Sequence, residues 1–267
     1  MKRLLFIAAL IGATSASAQD SMRMAVTTSF HNSGLADVLL PEIQTDLGLE
    51  VQLLIVGTGQ ALRLGEAGDV DAILVHSRTA EEAFVAAGHG THRREIMYSD
   101  FVLIGPSDDP ADVGSAIDAA TGLQRIATSG AQFVSRGDDS GTHKKELRLW
   151  SDAGLNVEGF GDGYLSVGAG MGAALNTASG MNAYILSDRA SWLNFANKGD
   201  LALLFSGDPA LFNQYAFLPV NPELHPYVKA EQARQLEEWL TSARAAKLIN
   251  DFTIGDENPF VFNAEAR

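Results

Sequence analysis

Glycine and hydroxyl residues recur in four short segments, each placed between an apolar run and a helical pattern. The segments are residues 26–29, 57–62, 135–146 and 168–172. A helix N-terminus presents unpaired backbone N–H groups and the positive end of the helix dipole, and small residues let an anion approach it. Serine and threonine hydroxyls add neutral donors. One such loop predicts only a helix cap, whereas four in one chain predict an anion site if they converge.

Arg136 is the informative charged residue of the third segment. Its guanidinium is a permanent cation whose fixed fork of donors suits an oxyanion. Asp138 and Asp139 follow it, so a local ion pair is the other interpretation. A carboxylate beside a bound dianion is repelled unless it points away or neutralises the arginine. We therefore expect these aspartates to cap the next helix or to orient Arg136.

Other chemistries have weaker support in the sequence. Neither G-x-x-x-x-G-K-[ST] nor G-x-G-x-x-G occurs, so the nucleotide-binding fingerprints are missing. Ser140, His143 and an aspartate have the types of a hydrolase triad, but no G-x-S-x-G surrounds Ser140, and we expect His143 in the first turn of the same helix. A secreted hydrolase that uses Ser140 or Asp139 stays open as an alternative. The histidines at 76, 89, 92 and 143 lack H-x-x-x-H spacing, so the sequence predicts no cation site and no cofactor.

Net charge and cysteine content exclude several classes of partner and of site. The 267 residues include 33 acidic and 19 basic ones, for a net charge of −14, so we expect no binding to nucleic acid or to anionic membranes. Cysteine is absent, which excludes disulfides, thiolate zinc sites and a cysteine nucleophile. Residues 1–18 have a basic start, a short apolar run and an Ala-Ser-Ala end, which predicts a signal peptide cleaved after Ala18. We expect the mature chain in the periplasm.

Apolar runs alternate with helical patterns along the mature chain. The runs predict strands at 22–28, 51–56, 72–75, 101–104, 126–127 and 133–134, and the 3.6-residue spacing predicts helices at 35–47, 60–64, 80–87, 173–178 and 231–244. Continuous apolar strands between helices indicate an α/β protein with a mainly parallel sheet covered on both faces. Such sheets bind ligands beyond the carboxyl ends of their strands.

Two turn-rich stretches, 105–110 and 215–222, suggest that the chain crosses between two lobes. The predicted first lobe contains residues 19–104 and 217–267, and the predicted second lobe contains residues 105–216. This layout would leave a cleft between the lobes.

The same residues resemble a known family, the periplasmic tungstate-binding proteins of Tup-type ABC importers. The similarity extends over nearly the whole mature chain and is carried by AVTTSFHNSGLADVLLP, VGTGQALRLGEAGDVDAILVHS, MYSDFVLIGPSDDPA, FVSRGDDSGTHKKELRLW, GAGMGAALNTAS, AYILSDR and NKGDLALLFSGDPALFNQY. The resemblance implies the two-lobed fold of class II periplasmic binding proteins, with no enzymatic activity. It also implies a tungstate ligand, with molybdate as a second one, held in the cleft of a monomer that delivers it to a membrane permease.

The resemblance also implies a set of ligand-binding residues. They are Thr27, Thr28, Ser29, Thr58, Ser135, Arg136 and Thr142, with backbone N–H groups of Gly170, Met171 and Gly172 as extra donors. The chain departs from the family pattern at Val26, Asn32 and Ala169, which leaves the order of preference between tungstate and molybdate open. A receptor for another tetrahedral oxyanion, such as sulfate or phosphate, and a sensor that docks to a membrane signalling protein remain alternatives.

Overall fold

The computed structural model describes residues 20–265, so the predicted signal peptide lies outside the described residues. The strands are β1 Asp20–Thr27, β2 Leu49–Val56, β3 Ala72–Val75, β4 Arg94–Pro106, β5 Phe133–Ser135, β6 Tyr164–Ser166, β7 Tyr184–Asp188, β8 Leu201–Phe205, β9 Phe212–Pro219 and β10 Val261–Phe262. The helices are α1 Thr28–Asn32, α2 Leu35–Leu47, α3 Thr58–Ala67, α4 Arg78–Ala86, α5 Ala119–Ser129, α6 Gly141–Asp152, α7 Met171–Met181, α8 Arg189–Asn194, α9 Ala230–Leu240 and α10 Ala243–Asp251. No helix within residues 20–265 has both the length and the apolar content needed to cross a membrane.

Two parallel groups of strands are joined by antiparallel strands. β1 lies between β2 and β3, all parallel, and β5 lies between β6 and β7, also parallel. β9 runs antiparallel to β3 and β4. β4 is the long shared strand: Arg94–Asp100 faces β9, and the residues from Phe101 onward face β7 and β8. The α/β fold class is confirmed, with a mixed sheet that is parallel at its two ends.

Each group of strands is buried on both faces. In β1, Met24 and Val26 pack with α2, α9 and α10, while Ala25 packs on the other face with α3 and α4. In β4, Phe101 packs with α5 and α6, and Val102 packs on the other face with α7 and α8. Successive side chains of a strand point to opposite faces, so a strand covered by helices on both sides must be apolar throughout. The continuous apolar runs of the sequence have this origin.

Two predicted elements were wrong. Residues 126–127, predicted as a strand, lie in α5, where Ala119, Gly122, Leu123 and Ile126 form one buried helical stripe. The predicted helix at 231–244 is two helices, α9 and α10, because the Ser242 hydroxyl accepts a hydrogen bond from the Ala245 backbone N–H and starts a new helix. A short apolar pair inside a helix cannot be distinguished from a strand by periodicity alone.

The strand pairings bear on the predicted crossings between lobes. The change of partners on β4 falls between Asp100 and Phe101, and β9 begins at Phe212 opposite Asp100. These positions lie a few residues before the predicted crossings after 104 and before 217. The two-lobe division stays a prediction.

Candidate anion-binding site

The carboxyl ends of four strands meet around one small cavity. Its wall consists of Thr27, Thr28, Ser29, Gly57, Thr58, His76, Arg136, Ser140, Gly141 and Thr142. These residues follow or end β1, β2, β3 and β5, and three helices, α1, α3 and α6, begin there. The cavity is about 10 Å³, which is the room that the centre of one water-sized sphere needs. A small cavity with hydroxyl and guanidinium groups in its wall suits a small anion.

Two threonine hydroxyls in this wall have no hydrogen-bond partner. Thr58 is 0 % exposed and Thr142 is 1 % exposed, and the Oγ1 atom of each is unpaired. Buried polar groups in proteins are nearly always hydrogen-bonded, because an unpaired one costs about 1–3 kcal/mol. Hydroxyls kept in this state at a cavity are groups that a bound oxyanion would satisfy.

Arg136 is the cation of the cavity. It is 3 % exposed, and its Nη2 donates to Asp138 Oδ2 at 2.6 Å, while its Nε has no partner. The Asp138 Oδ1 accepts from the Ser140 backbone N–H at 3.3 Å. Burial by itself opposes ionisation of Asp138, but the bonds from Ser140 and Arg136 hold its pKa below the ordinary value. Arg136 therefore both pairs with Asp138 and lines the cavity, and Asp139 pairs with Lys144 instead.

The loop that carries Arg136 depends on Gly137. This residue has a φ of +63°, in the left-handed region. A Cβ added there would lie 1.7 Å from the Ser166 Oγ. Both the backbone conformation and the close approach to β6 require glycine, and they direct the chain so that Arg136 is buried.

Ser140 acts as a helix cap. Its hydroxyl accepts from the His143 backbone N–H at 3.2 Å and begins α6. His143 lies in the first turn of the same helix, as expected, and its Nδ1 accepts from the Asp139 backbone N–H at 3.2 Å. The two side chains therefore do not form the nucleophile–base pair that a hydrolase needs. Within residues 20–265, no group of three or more acidic and histidine side chains is placed to hold a metal ion.

His76 lines the cavity and was missed as an anion-site residue. It follows β3 directly, its Nε2 is 3.1 Å from the Ser29 Oγ, and its Nδ1 is unpaired. Burial, with the Arg136 cation acting in the same direction, lowers the pKa of His76 to about 4, so the imidazole is neutral at pH 7. Gly141 leaves room for the ring, since a Cβ on Gly141 would lie 2.8 Å from His76 Cε1. The signal that could have identified His76 is its position directly after a buried parallel strand.

Four of the predicted site residues lie outside the cavity wall. The Ser135 hydroxyl donates to Glu146 Oε2 at 2.7 Å, behind the Arg136 loop. The Met171 side chain packs in the core with Val102 and Ile104. Gly170 lines a neighbouring opening with Thr28 and Arg136, and Gly172 is exposed in the first turn of α7. Their part in binding stays a prediction.

Glu146 accepts the hydrogen bond from Ser135, the residue directly before Arg136. It also accepts a hydrogen bond from the Tyr164 hydroxyl at 2.6 Å. Burial raises the pKa of Glu146 to about 7, although the hydrogen bonds from Tyr164 and Ser135 act in the opposite direction. The Ser135 hydroxyl is therefore engaged in holding β5 and α6 together.

Comparison with known proteins gives this geometry a family. The model of the PBP superfamily domain matches residues 12–244. The tungstate-binding protein TupA of Peptoclostridium acidaminophilum is 46 % identical over 88 % of this chain and 82 % of its own. This chain belongs to the PBP superfamily. The resemblance to Tup-type binding proteins is thereby confirmed at the level of the family.

Two solved structures support the same assignment. The tungstate ABC transporter structure from Geobacter sulfurreducens is 45 % identical, with a TM-score of 0.81 over 88 % of this chain and all of that one. The tungstate-binding protein TupA from Desulfovibrio alaskensis G20 is 42 % identical, with a TM-score of 0.82 over 92 % of this chain and all of that one. This PBP superfamily member thus shares its fold over nearly the whole described chain with proteins named for tungstate.

Proposed function

We propose that this protein is the binding component of an ABC importer that captures tungstate, and also molybdate, and delivers it to a permease. The observation that carries the proposal is the donor set of the cavity: one buried arginine and two unpaired threonine hydroxyls in its wall. Relatives that are 42–46 % identical and named for tungstate support the choice of ligand. The protein acts as a carrier and catalyses no reaction.

The donors come from both groups of strands. Thr27, Ser29 and Thr58 belong to the part built on β1–β3, whereas Arg136 and Thr142 belong to the part built on β5 and α6. We infer that these parts are the two lobes, with boundaries near 104 and 217, and that the anion holds them together. A ligand that contacts both lobes favours the closed state, which a permease can distinguish from the open one.

The anion would be held by charged and neutral donors together. Arg136 offsets part of the dianion's charge. Neutral hydroxyls and backbone N–H groups of the Gly170–Gly172 loop donate hydrogen bonds to its other oxygens. Such donors are stronger in a dry cavity than in water. Sulfate has a similar charge and shape, so we expect selection against it to come from cavity size.

The compartment follows from the expected signal peptide. We propose that residues 1–18 are removed and that the mature protein works as a monomer in the periplasm, where the permease of the inner membrane is accessible. Among residues 20–265, no helix is long and apolar enough to cross a membrane.

Isothermal titration of residues 19–267 with tungstate, molybdate, sulfate and phosphate tests the proposal. We expect tight binding of tungstate, measurable binding of molybdate, and no heat from sulfate or phosphate. Binding of sulfate or phosphate as tight as that of tungstate would show a different receptor. The absence of heat with all four anions would refute the proposal.

A further inference from the structure

The Ser29 hydroxyl in the cavity wall has more polar neighbours than it has protons. Its Oγ lies 3.0 Å from the Thr27 Oγ1 and 3.1 Å from the His76 Nε2. The Tyr215 hydroxyl lies 3.5 Å from the same oxygen. A serine hydroxyl carries one proton and two lone pairs. The neighbour that receives this proton therefore decides whether Ser29 can donate to an anion in the cavity.

His76 is the neighbour whose own proton can occupy two positions. Its imidazole is neutral at pH 7, because burial lowers its pKa to about 4. A neutral imidazole has a proton on one ring nitrogen and a lone pair on the other. With the proton on Nδ1, the Nε2 accepts from Ser29 and uses its only proton. With the proton on Nε2, the ring donates to the Ser29 Oγ, and the serine proton stays available to the cavity.

The imidazole of His76 is packed on several sides. Its centre lies 4.8 Å from the centre of the Tyr215 ring on β9 and 6.1 Å from that of the Phe101 ring on β4. At the start of α6, a Cβ on Gly141 would lie 2.8 Å from the His76 Cε1 and 3.1 Å from its Nδ1. Close packing of this kind leaves a ring little freedom to turn. The Nε2 is thereby held toward Ser29.

The side chain of Asn213 lies on the other side of this arrangement. It is 2 % exposed and interacts with both His76 and Tyr215, without the geometry of a full hydrogen bond. A side-chain amide contains both a donor and an acceptor and can present either of them. Asn213 can therefore offer its NH₂ group to an unprotonated Nδ1. The surroundings of His76 are compatible with a proton on Nε2.

A bound dianion distinguishes the two positions of the proton. It repels a lone pair of Ser29 that is turned toward it and attracts the serine proton, and hydrogen bonds to a charged acceptor are the stronger ones. We propose that His76 is a positioning residue, whose Nε2–H donates to the Ser29 Oγ and so leaves the serine proton to the bound oxyanion. The proposal rests on the proposed function, because it takes the ligand to be an oxyanion.

Nuclear magnetic resonance of the wild type tests the position of the proton without any change to the site. Two-bond ¹⁵N–¹H correlation spectra of the histidine rings are recorded on residues 19–267 at pH 7 with saturating tungstate, and the spectrum of His76→Gln identifies the signals of His76. We expect a protonated Nε2 and an unprotonated Nδ1. A proton on Nδ1 alone, or on both nitrogens, would overturn the proposal.

Calorimetric titration of variants tests whether His76 acts through Ser29. His76→Phe keeps a ring but removes the donor, and it weakens tungstate binding about 10-fold, as expected when one hydrogen bond to a charged group is lost. His76→Gln has an amide N–H that can reach the same oxygen, so it restores part of the affinity. Once Ser29→Ala has removed the hydroxyl, His76→Phe has no further effect. Equal losses with and without the Ser29 hydroxyl would show that the imidazole only fills space and would overturn the proposal.

His89→Phe is the matched control for His76→Phe. His89 is half-buried, its ring centre lies 5.7 Å from that of Phe84, and it is not part of the cavity wall. This variant should bind tungstate like the wild type. A loss of affinity equal to that of His76→Phe would contradict a specific role for His76. A wild type that binds no tungstate would instead refute the proposed function.

Discussion

The Thr142 hydroxyl shows at the residue scale how binding and stability oppose each other. It is buried without a partner, so replacing it with a methyl group removes an unsatisfied polar atom. We expect Thr142→Val to raise the free energy of unfolding by about 1 kcal/mol and to weaken tungstate binding. Urea unfolding without ligand and calorimetric titration measure the two effects.

Thr27→Val is the matched control for Thr142→Val. The Thr27 hydroxyl already accepts from the Phe30 backbone N–H at 3.3 Å and lies 3.0 Å from the Ser29 Oγ. We expect this variant to lose about 1 kcal/mol of stability as a helix cap is removed. If Thr142→Val is destabilised to the same extent, the Thr142 hydroxyl has a structural partner and our account of it is wrong.

Arg136 should dominate the affinity of the site. We expect Arg136→Ala to weaken tungstate binding 10-fold or more, since a hydrogen bond to a charged group contributes about 1.5–3 kcal/mol. Arg136→Lys keeps the cation beside Asp138 but loses the fork of donors. Its affinity for tungstate should therefore lie between those of the wild type and Arg136→Ala. Calorimetric titration of the three proteins gives the comparison. An affinity unchanged in Arg136→Ala would remove this residue from the ligand contacts.

Sequence reasoning found part of the cavity and missed another part. Thr27, Thr58, Arg136 and Thr142 belong to the predicted loops between strands and helices, and the family resemblance singled them out as ligand residues. His76 escaped because a single histidine after a short strand shows no spacing pattern. The engagement of Ser135 by Glu146 depends on a contact across 11 residues, which no local pattern reveals.

At the scale of elements, the start of α6 must approach the end of β3 closely. A Cβ on Gly141 would lie 2.8 Å from His76 Cε1 and 3.0 Å from Thr58 Oγ1. We expect Gly141→Ala to push α6 away and to weaken tungstate binding at least 10-fold, because the donors from the two parts lose their common centre. Calorimetric titration measures this loss.

Gly180→Ala provides the control for Gly141→Ala. Gly180 lies inside α7, and a Cβ there would meet nothing within 4 Å. This variant should bind tungstate normally and gain up to about 1 kcal/mol in stability from the better helix propensity of alanine. Equal affinities of Gly141→Ala and Gly180→Ala would contradict the close approach described for α6.

The contact between α6 and β5 should make stability depend on pH. The pKa of Glu146 is raised to about 7 in the folded protein, so the folded state keeps a proton that the unfolded chain has lost. Stability from this group is present below pH 4.5 and decreases as the pH rises to 7. The decrease is about 3 kcal/mol for a shift of this size.

Glu146→Gln should remove that part of the pH dependence. We expect urea unfolding series between pH 5 and 8 to show a smaller loss of stability with rising pH in Glu146→Gln than in the wild type. A slope in Glu146→Gln equal to that of the wild type would show that this carboxyl ionises normally.

Elements were predictable where one face of a helix or both faces of a strand are apolar over several turns or residues. The strands that became β1, β2 and β3 and the helix α2 have such patterns. The break between α9 and α10 was not predictable from the apolar spacing, since it depends on the Ser242 cap within a continuous amphipathic pattern. The antiparallel pairings of β4 and β9 are long-range choices that no single segment specifies.

At the scale of the whole molecule, an acidic protein is proposed to collect anions. Its net charge is −14, so long-range forces oppose the ligand and local donors must overcome them. The buried Arg136 and the unpaired hydroxyls of Thr58 and Thr142 supply such donors at the cavity. Net charge, readable from composition, therefore says little about the ligand, whereas the placement of a few side chains says much.

Anomalous diffraction at a tungsten absorption edge, from crystals of residues 19–267 grown with tungstate, locates the bound anion directly. We predict one strong peak in the cavity, within hydrogen-bonding reach of Thr58, Arg136 and Thr142 through the oxygens of the anion. A strong peak elsewhere with an empty cavity, or no peak at all, would contradict the account.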